Sequence, residues 1–346
     1  IIRNSVVLPQ PDGPSSVKNS LSAMESETSC STVVRPKSLD TDCTSTAAVM
    51  PAPYPRFHLL YLRISIIRGY IPPTRYGCLM LALPNLAETR LADLIRHSGK
   101  PDFETLLWSF LQTVAQPDNL VVMVFQDAGP PLVLYRRGDH PQVFAELDRV
   151  YLSGAFRLDP YFDLHTQRIS SGAYRLRDVA PDAFHRSRYF IEYYEQTTLI
   201  DEVTFIASPA RNVSLNICIG RDASSAKVFS AREVETCQRL APILAALAEA
   251  HWAGIGHFAT AHRENPSVSL SEAARTARKI SLSPRQAEVA LLILQGHSTA
   301  SISLRLGVSV QTVKVFRKQL YARCNVSSQA ELFSLMLPLL NAPVAM

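Results

Sequence analysis

Two stretches near the C-terminus carry the reading: Leu282-Ser-Pro-Arg-Gln-Ala-Glu-Val289 and Leu306-Gly-Val-Ser-Val-Gln-Thr-Val-Lys-Val-Phe-Arg-Lys-Gln-Leu-Tyr-Ala-Arg323. Ser283 reads as a helix N-cap with Pro284 at the first helical position, where its missing N–H costs nothing. Val289, Leu292 and Ile293 then form one apolar stripe, and Gly296 ends the helix. Ser298 caps a second, short helix carrying Ile302 and Leu306. Gly307 allows a turn at positive φ, Val308 plugs the core, and Ser309 caps a third helix over 310–323. A fourth helix runs from Ser328 to about Leu340, apolar at Leu332, Leu335, Met336 and Leu339. Two helices joined by a short glycine-containing turn, the second one basic, predict a helix-turn-helix.

At 3.6 residues per turn, Val313, Phe316 and Leu320 share the inward stripe of the third helix. Gln311, Lys314, Val315 and Lys318 face outward in or near its N-terminal half, the part that enters a major groove. Lysine can donate to guanine O6 and N7, and a valine methyl can pack on a thymine methyl. The partner this predicts is double-stranded DNA.

The same residues resemble a family. Leu-Ser-Pro-Arg-x-x-Glu-Val at 282–289, Gln-Gly at 295–296, Leu-Gly-Val-Ser at 306–309, Thr-Val-Lys-Val at 312–315 and Val-Ser-Ser-x-Ala-Glu-Leu at 326–332 look like the LuxR/FixJ-type DNA-binding domain. The resemblance implies that Lys314, Val315 and Lys318 read bases and that Thr312 and Arg317 lie near phosphates. Ser309 and Gln311 complete the expected interface. It also implies a homodimer contact through the fourth helix, which would otherwise cover its own domain's core, and RNA polymerase as a further partner. Three positions depart from the pattern: Phe316 stands where the family has His, Ser303 where it has a small Ala, and Cys324 where it has Leu.

Working outward, charge separates the modules. Residues 1–79 hold 8 Lys/Arg against 5 Asp/Glu, residues 80–282 hold 21 against 23, and residues 283–346 hold 6 against 2. A basic module therefore follows a near-neutral body, the layout expected when one end meets an anionic partner. The six cysteines show no CxxC or other metal-like spacing, which argues against a disulfide scaffold and a structural zinc site. Phe57 to Ile71, the best candidate for a membrane span, is broken by Arg63, Arg68 and Gly69 and falls short of about 20 apolar residues. The expected location is the cytoplasm, with no membrane partner.

Four stretches follow. Residues 1–79, rich in Ser, Thr and Pro, are expected to be a disordered leader, with the native start near Met80. Residues 80–252 are expected to form an α+β domain, 253–280 a linker, and 281–342 the all-α helix-turn-helix domain. In the body, Leu86–Ile95, Phe103–Val114 and Phe144–Tyr151 read as helices. Strands are expected at Leu120–Phe125, Leu132–Tyr135, Val203–Ala207 and Val213–Ile219. Ser230 with Glu233 forms a capping box opening a helix to about Trp252. Helices flanking a mostly antiparallel sheet suggest a sensor of GAF or PAS kind. His251, His257 and His262 read as linker histidines without a carboxylate constellation.

Tyr151-Leu-Ser-Gly-Ala-Phe-Arg-Leu-Asp-Pro160 also resembles the tyrosine-then-Asp-Pro stretch of the autoinducer-binding domains of the same regulators, and Leu199-Ile-Asp-Glu-Val203 a following segment. In those domains the Asp accepts a hydrogen bond from the signal's amide. The resemblance implies a small-molecule signal held by Tyr151, Phe156, Asp159, Phe162 and Tyr174; the alternative is that Asp159-Pro160 is an ordinary turn. The expected pocket tryptophan is missing, and the tyrosine stands one position closer to the Asp than in the pattern. No GxSxG, P-loop, GxGxxG or HExxH motif is present. Asp201-Glu202 and Glu192/Glu195 read as loop and helix-face charge, so neither catalysis nor a cofactor is expected. A body that serves only structure and dimerisation is the alternative to a sensor.

Overall fold

The computed structural model describes residues 83–258 and 265–341. The expected leader, 1–79, lies outside the described residues. Among those described, no helix is long and apolar enough to cross a membrane.

The body opens with helices α1 (Ala87–Arg96) and α2 (Phe103–Val114). In α2, Phe103, Leu107, Phe110, Leu111 and Val114 are buried, a spacing that forms one helical stripe. Strands β1 (Asn119–Gln126) and β2 (Leu132–Gly138) follow, joined across the Asp127-to-Pro131 turn. The expected helix over 144–151 is reduced to a π-helical turn, Leu147–Tyr151, and a 3-10 turn follows at Ala155–Leu158. Helix α3 (Pro160–Thr166), strand β3 (Gly172–Arg175) and short helices α4 (Leu176–Val179) and α5 (Arg188–Glu192) lead to the long strands β4 (Leu199–Ala210) and β5 (Val213–Asp222). Helix α6 (Ala231–His251) starts with the expected Ser230–Glu233 capping box.

The five strands form one antiparallel sheet in the order β2-β1-β5-β4-β3, with every residue of β5 buried. One face is apolar: Leu120, Val122, Val124, Val203, Phe205, Leu215, Ile217 and Ile219 pack on α2 and α6. On the other face Val121, Met123, Phe125, Ile206 and Cys218 lie beneath the segment from Leu147 to Tyr194. The body is an α+β domain, as its helix and strand patterning suggests.

The C-terminal module adds helices α7 (Pro266–Arg278), α8 (Pro284–Gln295), α9 (Thr299–Leu306), α10 (Val310–Cys324) and α11 (Gln329–Met336), closed by a 3-10 turn at Leu337–Asn341. Pro338, without an N–H, sits where the α-helix gives way to the tighter turn. Helix α7 lies in the stretch read as linker. Leu270, Ala273 and Ala274 form a buried i, i+3, i+4 stripe that joins it to α8, so this part of the stretch belongs to the core. His251 ends α6, its ring stacked on Phe103 at 3.9 Å.

Module and body share one apolar cluster. Ala183 N donates to Gly296 O (3.0 Å), Ser298 N to Asp182 Oδ1 (2.9 Å), Arg157 Nε to Leu340 O (2.8 Å), and Arg305 pairs with Asp163 (3.1 Å). A Cβ on Gly296 would stand 2.9 Å from Phe184 Cα, so its backbone touches backbone.

Candidate nucleic-acid interface and ligand layer

The turn between α9 and α10 is built as the residues predict. Gly307 adopts φ 64°, Val308 is half-buried against the core, and the Ser309 hydroxyl accepts from Thr312 N at 3.0 Å. Val313 and Leu320 are fully buried and Phe316 packs beside them half-buried. Ser309, Gln311, Lys314, Val315 and Lys318 are exposed, and Thr312 and Arg317 are partly covered. Arg317 Nη1 donates to Thr299 Oγ1 at 3.0 Å, which ties α10 to the first turn of α9 and holds the guanidinium at the rim of the exposed face. Two of the departures from the pattern are absorbed by the packing. Ser303 Oγ donates to Ala300 O at 2.8 Å inside its own helix, and Cys324 is buried where a larger apolar residue is usual.

Residues 280–336 match the family described as "Bacterial regulatory proteins, luxR family". They are a LuxR-type DNA-binding domain. A chain with such a domain is a DNA-binding transcriptional regulator. A curated protein of Aeromonas salmonicida, named "Putative HTH-type transcriptional regulator in exeN 3'region", is 29% identical over 192 residues, 54% of this chain and 97% of that one. Among solved structures, the VqsR LBD domain of Pseudomonas aeruginosa is 21% identical, covering 48% of this chain and 96% of its own, with a TM-score of 0.41. Escherichia coli SdiA is 16% identical, covering 74% of this chain and 99% of its own, with a TM-score of 0.34.

N-terminal to the LuxR-type domain, the expected ligand residues fall in two places. Tyr151, Phe156, Asp159 and Phe162 meet in the layer above the sheet. Tyr151 Oη donates to Asp159 Oδ2 at 2.6 Å, and Phe156 and Phe162 pack edge to face at 5.0 Å. Asp159 is also the N-cap of α3, its Oδ1 accepting from Tyr161 N at 2.8 Å, so one carboxylate both starts the helix and meets the tyrosine. Tyr174 stands on the edge strand, its hydroxyl turned to Ser170 O at 2.7 Å.

Other members of this layer lay outside the sequence reading. Tyr189 and Tyr193 stack on one another and Tyr193 on Tyr151, while Tyr194 Oη donates to Glu202 Oε2 at 2.9 Å. Beneath them the sheet face is mixed: Glu202 and Thr204 on β4 and Ser214 and Asn216 on β5 set polar groups among Val121, Met123, Phe125, Ile206 and Cys218. The signal was present as alternation, polar residues interleaved with Val203, Phe205, Leu215, Ile217 and Ile219, and as the i, i+4 pair Tyr189/Tyr193. Asp201 and Glu202 are therefore not loop charge. Asp201 is buried in a forked pair with Arg175 and also accepts from Phe229 N. Burial pushes Glu202 up to about 8 and Asp159 up to about 6, in both cases against the hydrogen bonds of the facing tyrosines. The tyrosines themselves are held well above their ordinary range by burial and these carboxylates, so they remain neutral donors.

Proposed function

We propose that this chain acts in the cytoplasm as a homodimeric transcriptional regulator, reading a major groove with the outward face of α10 and taking a small-molecule signal in the polar layer of its body. Lys314, Val315 and Lys318 are proposed to read bases, and Thr312 and Arg317, with Ser309 and Gln311 at the helix start, to position the helix on phosphates. The observation that carries the reading is the exposure of Gln311, Lys314, Val315 and Lys318 around a core of Val313 and Leu320. A buried sheet face lined with hydroxyl, amide and carboxyl groups supports the signal site, because a purely structural layer has no use for such costly groups.

Helix α3 gives the signal a route. Its cap, Asp159, bonds Tyr151 in the layer, and one turn on Asp163 pairs with Arg305 of the LuxR-type domain. RNA polymerase is the partner through which such a regulator would act. Selection of DNA from a random pool by the full chain tests the reading. A two-fold symmetric sequence bound with steep salt dependence is expected; enrichment of no sequence would refute it.

A further inference from the structure

The layer opens to solvent at the C-terminal end of α3. A cleft of about 570 Å³ lies there between α3, the loop after it and the β4–β5 turn. Its size is that of a small-molecule site. The floor is apolar, formed by Leu164, Ile206 and Val213, and Ile206 belongs to the sheet face beneath the tyrosines. The mouth is cationic: the lining holds Arg168 and Arg211, both exposed, and no acidic side chain.

A polar chain starts in the lining itself, at His165 and Ser214. His165 Nδ1 and Ser214 Oγ share a 2.8 Å hydrogen bond, and Asn216 Nδ2 donates to Ser214 Oγ at 3.2 Å. His165 Nε2 lies 3.5 Å from Asp127 Oδ1, and Arg168 pairs with the same carboxylate. Asp127 thus fixes Arg168 at the mouth and balances its charge. Arg211 is exposed and forms no salt bridge among the described residues, so the mouth keeps an unbalanced positive charge. Asn216 Oδ1, fully buried, has no hydrogen-bond partner among the described residues.

A guanidinium pair over an apolar floor recognises an anion with a hydrocarbon body. Guanidinium binds carboxylate through paired N–H donors. We propose that the signal is an organic acid, its carboxylate held by Arg168 and Arg211 and its apolar chain lying on Leu164, Ile206 and Val213 toward the tyrosine layer. The proposal rests on the signal-binding role of the body given above.

Calorimetric titration of the full chain with saturated carboxylates from butanoate to dodecanoate, and with their primary amides, tests it. At least one carboxylate is expected to bind saturably, and its amide at least tenfold more weakly. Arg211→Glu should weaken that carboxylate at least tenfold while melting like the parent, and Arg211→Gln should weaken it less. Binding of no carboxylate, equal binding of acid and amide, or unchanged affinity in Arg211→Glu would overturn the proposal. Mobility shifts on the same preparations separate the two readings. Carboxylate binding without DNA binding would sink the regulator and leave the cleft, whereas DNA binding without carboxylate binding would sink the cleft alone.

Discussion

Single side chains divide into those proposed to read bases, those that hold the fold and those that titrate. Lys314 is exposed on α10 and Leu320 fully buried beneath it. Lys314→Ala should cost about 1–3 kcal/mol of DNA binding and relax preference at one base position. Leu320→Ala should instead leave a cavity costing ~2–5 kcal/mol of folding stability. Both silence a reporter, but circular dichroism melting tells them apart: the Lys314 variant melts with the parent and the Leu320 variant well below it. Titration makes a second prediction. Glu202, raised to about 8, keeps its proton in the folded chain where the unfolded chain has released it. Its contribution is therefore present at low pH and lost as pH rises toward 8. His297, pulled down to about 4 by burial and by Arg305, has the opposite sign: its contribution is present above ~6.5 and lost as pH falls. Glu202→Gln should then differ least from the parent below about pH 4.5, the unfolded value, and gain on it progressively up to pH 8–9, by on the order of a few kcal/mol at most. A parent that keeps its full stability to pH 9 would show that Glu202 ionises there freely.

At the scale of elements, the turn between α8 and α9 is where body and LuxR-type domain meet. Gly296 and Gly307 both end helices at positive φ, 95° and 64°, but their surroundings differ. Phe184 crowds Gly296, while nothing lies within 4 Å of a Cβ on Gly307. An alanine at either position strains the backbone by about 1–2 kcal/mol. At 296 it must also push the body away, breaking the Ala183–Gly296 hydrogen bond. Gly296→Ala should therefore lower the melting temperature of the full chain more than Gly307→Ala and expose the 182–187 segment to protease. Equal losses in the two variants would mean that the contact adds nothing to stability.

For the molecule as a whole, the face of α10 proposed to meet DNA lies outside the contact with the body, since Arg157, Asp163, Asp182 and Phe184 engage the C-terminal turn, α9 and the α8–α9 turn rather than the outward face of α10. Binding is expected to need no undocking for access. Affinity should fall linearly with salt on logarithmic axes, and Lys318→Ala should reduce the slope by about 1. The proposed dimer contact through α11 has a limited surface to draw on: Leu332, Phe333 and Met336 are already buried within the chain, leaving Leu335 half-buried. Footprints of two half-sites ~10 bp apart are nonetheless expected from two-fold symmetry. A single protected half-site would refute the dimer.

What the sequence determined by itself is local. Ser283, Ser298 and Ser309 cap helices, Gly296 and Gly307 end them, and the inward and outward residues of α10 follow from a period of 3.6, because caps, turns and amphipathic faces involve neighbours a few positions apart. The Phe103–Val114 stripe and the Ser230–Glu233 capping box were legible for the same reason. Tertiary structure decided what distant residues do to one another. Asp201 and Glu202 look like loop charge until β4 pairs with β3 and β5 and places one on Arg175 and the other under Tyr194. Leu270, Ala273 and Ala274 look like linker until α8 covers them. His165, Ser214 and Asp127 stand 38 or more positions apart in the chain and become one polar cluster only when α3 lies across the sheet. No periodicity announces such contacts, because the loops that bring them together cost entropy repaid only by the completed core.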